Sequence, residues 1–110
     1  MINWKAGYGK KKARIMVVSM LVIIIEIPES ASLKDKRRVV SSVKQRLRTK
    51  FRFSCAEVDL LDSRSFAEIG AALVSNSREF GERVMHKALA VVEDEFGLRV
   101  HDAQIHSEIY

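Results

Sequence analysis

The chain is poor in the residues that would announce a secreted or cofactor-dependent protein. One cysteine in 110 residues excludes a disulfide framework within the chain and any cysteine-rich zinc site. A single proline and five glycines leave no room for low-complexity linkers. The longest apolar run, Ile15 to Ile25, is broken only by Ser19 and falls short of the ~20 residues a membrane-crossing helix needs. There is no Ser-His-Asp order, phosphate-cradling glycine loop or dinucleotide fingerprint. No catalytic residue and no cofactor is therefore expected, and the chain is not expected to be an enzyme.

What is present is enough for one packed domain. Hydrophobic residues make up 47 % of the chain, too many for wholesale disorder. A chain of this length buries roughly 65 % of its unfolded surface. Residues 1–14 carry five basic residues and no acid, with Trp4, Gly7, Tyr8 and Gly9 in no periodic pattern. They are expected to be a flexible basic extension, with residues 15–110 forming the domain; Met16 offers an alternative start. Basic then apolar is the outline of a secretory signal, but the run ends in Glu26-Ile27-Pro28-Glu29 without a small-residue cleavage site. A cytoplasmic location with no membrane partner is the expectation, and a free Cys55 suits a reducing compartment.

Hydrophobic period places the elements. Ile15 to Ile27 is Val- and Ile-rich, as in a strand buried on both faces. Ser32 can cap a helix running to about Thr49, with Asp35 in its first turn and an inward stripe of Leu33, Val40, Val43 and Leu47. Phe51 to Asp59 and Ser65 to Ser75 alternate with period two and read as a hairpin. Ser75-Asn76-Ser77 opens a second helix to about Phe96, with a stripe of Phe80, Val84, Ala88, Val91 and Val92; Gly81 inside it costs about 1 kcal/mol against Ala. Gly97 stops that helix, and Val100 to Ile109 alternates again. The order β-α-β-β-α-β is the ferredoxin-like pattern of an α+β domain: a four-stranded antiparallel sheet with two helices on one face.

The charge is unevenly spread. Nine basic residues lie between Lys34 and Arg52 against Asp35 alone, so that stretch is +8 in a chain of net +5. Such a field is the electrostatic footprint of a phosphate-backbone binder. Lys34, Lys36, Arg37, Arg38, Lys44, Arg46 and Arg48 are the candidate nucleic-acid contacts, with Lys36, Arg37, Lys44 and Arg48 on one exposed side. Base stacking on the sheet is not expected, because the first strand has no aromatic and the third only Phe66. The open sheet face, with Val18, Met20, Val22 and Ile24, is a candidate surface for homo-oligomers.

Other constellations are weak. Glu26, Glu57 and Glu68 would share a sheet face if the register allows, but hard cations need a tighter oxygen set, so no metal is expected. His101 and His106, five apart, should point to opposite faces of a strand, and His86 should be solvated. Cys55 is expected to be a part-buried structural thiol. Gly70 should permit close packing by a neighbour.

Four segments carry a resemblance. Ile25-Glu26-Ile27-Pro28-Glu29, Ser32-Leu33-Lys34-Asp35-Lys36-Arg37, Ala56-Glu57-Val58-Asp59 and Val74-Ser75-Asn76 resemble the YlxP-like family of small bacterial proteins, long filed as a domain of unknown function. The resemblance spans Met16 to Ile109. It implies a ferredoxin-like domain in a bacterial cytoplasm, with genes commonly among those for translation, and so an RNA or ribosomal partner. It brings no reaction and no catalytic residue. The acylphosphatase type shares the topology but needs an arginine in a glycine-bearing loop after the first strand, which Pro28 to Ser32 lacks.

Overall fold

A computed structural model describes residues 15–28 and 32–110. The elements are β1 (Val17–Glu26), α1 (Leu33–Phe51), β2 (Ser54–Asp59), β3 (Phe66–Ser75), α2 (Arg78–Ala90) and β4 (Val100–Ile109), with a single wide π turn, Val91–Glu95, continuing α2. The four strands form one antiparallel sheet in the order β2-β3-β1-β4. This is the ferredoxin-like α+β arrangement the alternating periods predict. The basic extension, residues 1–14, lies outside the described residues.

The most apolar strand is central, flanked by β3 and β4. Its odd positions Leu21, Ile23 and Ile25 are buried with Val40, Val43 and Leu47 of α1, Met85 and Ala88 of α2, and Val92 of the π turn in one core. Removing such side chains from water is worth about 1.5–3 kcal/mol each. Its even positions lie on the other face, where Val18, Val22 and Ile24 are half-buried and Met20 is exposed.

Local chemistry fixes the helix ends. The Ser32 hydroxyl accepts from the Asp35 amide at 3.2 Å, and Asp35 adds negative charge to the first turn. At the other end α1 runs two residues past the expected stop, through Phe51. Arg52 then takes a left-handed conformation, φ 60°, and its amide closes on the Arg48 carbonyl. The predicted strand from Phe51 therefore shortens to begin at Ser54. Phe51 and Phe53 stack instead, ring centroids 5.1 Å apart, and cover the end of the core.

The inward face of α2 and its π turn keeps Ala88, Val91 and Val92 of the expected stripe, with Val84 half-buried against the core, but not Phe80. Gly81, Met85 and Ala88 face inward, while Phe80 is 45 % exposed. Gly81 decides this. A Cβ there would run into Ser19 Oγ and lie 2.9 Å from Ser19 Cβ. The missing side chain lets α2 approach β1 where the buried Ser19 and Ser107 hydroxyls bond each other at 2.8 Å. The helical cost of glycine is exchanged for a close backbone approach. Beyond Ala90, the π turn keeps Val91 and Val92 both buried and carries Glu95 toward α1.

Candidate nucleic-acid interface

Position along α1 sorts its cations into three groups. At 3.6 residues per turn, Lys36 falls on the stripe of Val40, Val43 and Leu47. It is 1 % exposed. Its Nζ lies 2.9 Å from Glu57 Oε2 on β2 and donates to the Leu60 carbonyl at 2.6 Å. The approach to Glu57 is electrostatic rather than a well-aligned hydrogen bond, and that buried oxygen finds no hydrogen-bond donor among the described residues. Leu60 is held in a left-handed turn, φ 63°, with its amide on Asp59 Oδ1. Lys36 is therefore corrected from a phosphate contact to a buried tie between the start of α1 and the end of β2. The signal was legible: Lys36 sits four residues before Val40 and seven before Val43, on the apolar stripe itself.

The second group faces α2. Arg46 Nε and Lys50 Nζ approach the Glu95 carboxylate at 3.0 and 3.3 Å. The Arg46 hydrogen bond, with Lys50 behind it, holds the Glu95 carboxyl below the usual carboxylate range. Lys50 also lies 5.7 Å over the Phe51 ring. Arg46 thus has an acid beside it, which sequence spacing did not show because Glu95 is 49 residues away.

The third group runs along the flank over β2. Lys34, Arg37, Lys44 and Arg48 recur at helical spacing, about 21 Å from first to last. None has a carboxylate partner among the described residues. Arg48 donates to the Cys55 carbonyl at 2.6 Å, which anchors the guanidinium at the sheet edge without neutralising it. Arg38 and Arg52 are also exposed with no acid beside them among the described residues. Cys55 lies under this flank. Burial pushes its thiol pKa up, with Arg48 and Lys44 opposing, so the thiolate is disfavoured.

The remaining constellations separate. Glu26 and Glu68 lie on the open face, with Glu68 opposite Ile24, but Glu57 pairs with Ile69 on the helix side. The three carboxylates do not meet, and no metal-ligating cluster forms among the described residues. A bulge between Ile24 and Ile25 resets β4, so His101 reaches Glu26 at 2.8 Å on the open face, the face His106 also shares. The expected opposite placement of the two histidines is corrected by that extra residue. His86 is exposed, and Val58 packs where a Gly70 side chain would stand. No helix among the described residues is long and apolar enough to cross a membrane.

Comparison with known proteins adds a family. The profile described as Protein of unknown function (DUF503) matches residues 18–105. The uncharacterized protein YlxP of Bacillus subtilis (strain 168) is 33 % identical over 67 residues, 61 % of this chain and 73 % of that protein. Among solved structures, the de novo designed protein Foldit4 covers 86 % of this chain and 96 % of its own at 13 % identity, with a TM-score of 0.44. That likeness is loose, and the fold rests on the strand order itself. The chain belongs to the YlxP-like family of proteins of unknown function, DUF503.

Proposed function

We propose that the protein is an RNA-associated factor that acts by binding, not by catalysis, and that the polyanion lies along the β2-side flank of α1. The observation that carries this reading is the row of Lys34, Arg37, Lys44 and Arg48, which no acid answers among the described residues, next to Arg38 and Arg52. A row of about 21 Å is long enough to meet several successive phosphates of one strand. Cations in a row along an exposed helix flank favour the backbone over the base edges, so sequence-tolerant binding is expected. The translation-linked setting that the resemblance implies favours ribosomal RNA as the target.

The test is binding of a single-stranded RNA oligonucleotide across a salt series. Four neutralised phosphates give a log–log slope of about −3. A flat response overturns the reading, as does unchanged affinity when Arg37 and Lys44 are reversed to Glu. Co-sedimentation with ribosomal subunits at low and high salt then asks whether the RNA is ribosomal.

A second reading is an interaction module that uses the sheet. The open face leaves Met20, Val58 and Val74 exposed at 38, 51 and 63 %. An apolar face of this kind is a candidate contact for another protein chain.

A further inference from the structure

The two edges of the sheet are built differently. The β2 edge is six residues long, carries a bulge between Glu57 and Asp59, and has Arg48 seated on the Cys55 carbonyl. Short length, bulges and cations are the devices that keep an edge from pairing with another chain. The β4 edge has none of them over most of its length. It spans ten residues with no Lys, Arg, Pro or Gly, and its only irregularity is at the start, opposite Ile24 and Ile25. Residues 101–104, 106 and 108–110 are exposed.

The hydrogen-bond phase of that edge is fixed. The Tyr110 amide donates to the Met16 carbonyl at 2.8 Å, in register with the β1–β4 ladder. Even-numbered residues of β4 therefore turn their backbone groups toward β1, and Ala103, Ile105 and Ser107 turn theirs outward, unpaired. We infer that β4 pairs with β4 of a second copy of this chain, antiparallel about a two-fold axis at Gln104, to make a continuous eight-stranded sheet.

Charge selects both the occupant and the register. Four registers keep the outward groups paired and overlap at least five residues of the regular stretch 102–109. Centred on Ser107, the pairing opposes His106 to Glu108 of the partner subunit, an acid each His106 already holds within its own chain, and leaves Asp102 and the outward groups of Ala103 outside the pairing. Centred on Ile105, the pairing opposes Asp102 to Glu108, two like charges. Centred on His106, it opposes imidazole to imidazole. Centred on Gln104, it places Asp102 opposite His106 of the partner subunit, twice, with amide on amide at the axis. His106 already holds Glu108 through Nε2 at 2.8 Å, which leaves its other ring nitrogen for Asp102 of the partner subunit. Asp102 has no ion-pair partner among the described residues. These are non-hydrogen-bonded positions, where cross-strand side chains lie closest. The pairing is isologous, so each favourable contact occurs twice. It joins the open faces into one surface and sends the two α1 flanks to opposite ends of the sheet, because α1 packs over β2 and α2 over β1 and β4.

Sedimentation equilibrium of the full chain over a wide concentration range tests this. A monomer–dimer equilibrium is expected. His106→Glu should weaken it at least about tenfold by setting acid against acid, and Asp102→Lys with His106→Glu should restore it by exchanging the charges. Ala103→Pro, which removes an outward amide without touching the β1 ladder, should also yield monomer. The charge exchange decides the matter even if the proline variant fails to fold. Gln104→Cys should cross-link to itself under oxidised glutathione, since Cα atoms about 4.5 Å apart suit a disulfide. A strict monomer at every concentration overturns the inference. So does a dimer abolished by Met20→Glu on the open face but indifferent to His106→Glu. Neither outcome touches the RNA reading, which is measured by salt-dependent binding alone.

Discussion

The two flanks of α1 both carry cations and use them in opposite ways. Toward α2, Arg46 and Lys50 converge on Glu95, which offsets half of their charge. Toward β2, Lys34, Arg37, Lys44 and Arg48 have no carboxylate partner among the described residues, and Arg48 donates to the Cys55 carbonyl. Between them Lys36 is buried against Glu57. A run of +8 is thus not a uniformly basic rod. Net charge along a segment is a property of the sequence, but the field available to a polyanion depends on which acids the fold brings alongside.

The largest expected effect breaks the inner contact that separates the flanks. Glu57→Ala leaves the Lys36 ammonium buried with only the Leu60 carbonyl, and should cost about 3–5 kcal/mol in urea unfolding. Lys36→Met with Glu57→Leu should recover most of that loss, since two apolar groups of similar volume replace the pair. If Glu57→Ala is as stable as the parent, Lys36 is not the tie described above.

Next in size is the contrast between flanks. Arg37→Ala, Lys44→Ala and Arg48→Ala together should flatten the salt slope of RNA binding by about 2, at roughly 0.7 per phosphate. Arg46→Ala with Lys50→Ala should leave it nearly unchanged. Equal losses from both sets would erase the distinction.

A smaller effect converts one flank into the other. Glu95→Gln removes the carboxylate that Arg46 and Lys50 share. Its salt slope should steepen by about 1 as these cations become available. A weaker binder would mean that Glu95 positions the RNA site instead of masking a flank.

The smallest effect is in pH. Glu95 is held below its ordinary value by Arg46 and Lys50, so it binds fewer protons folded than unfolded. Its contribution is complete above the unfolded value and is lost as pH falls through the lower folded one. The contribution is small because the group is exposed and screened. Urea midpoints of the parent and Glu95→Gln should differ slightly at neutral pH and converge in acid.

Much of the fold was legible because periodicity is local. The central strand, the Ser32 cap and the two-residue alternation of β2 to β4 are statements about neighbours in the chain. Departures gathered where a distant residue, or a local turn or bulge, interrupted the period. Phe51 read as strand by alternation, but stacking on Phe53 and the Arg52 turn kept it helical. Phe80 read as core until Gly81 turned that face of α2 against Ser19. His101 changed faces because one extra residue entered β4. In the candidate site, Lys36 could have been read as inward from its place on the apolar stripe, whereas nothing near Arg46 in sequence pointed to Glu95.

The sequence alone determined the order of elements, which strand is central, and the concentration of positive charge in one helix, because each follows from composition and spacing within a few turns of chain. Only the tertiary structure decided which of those charges are free, since neutralisation requires acids from β2 and from the turn after α2 to arrive within about 3 Å. It also decided which sheet edge is guarded, because an edge exists only once four strands have found their order.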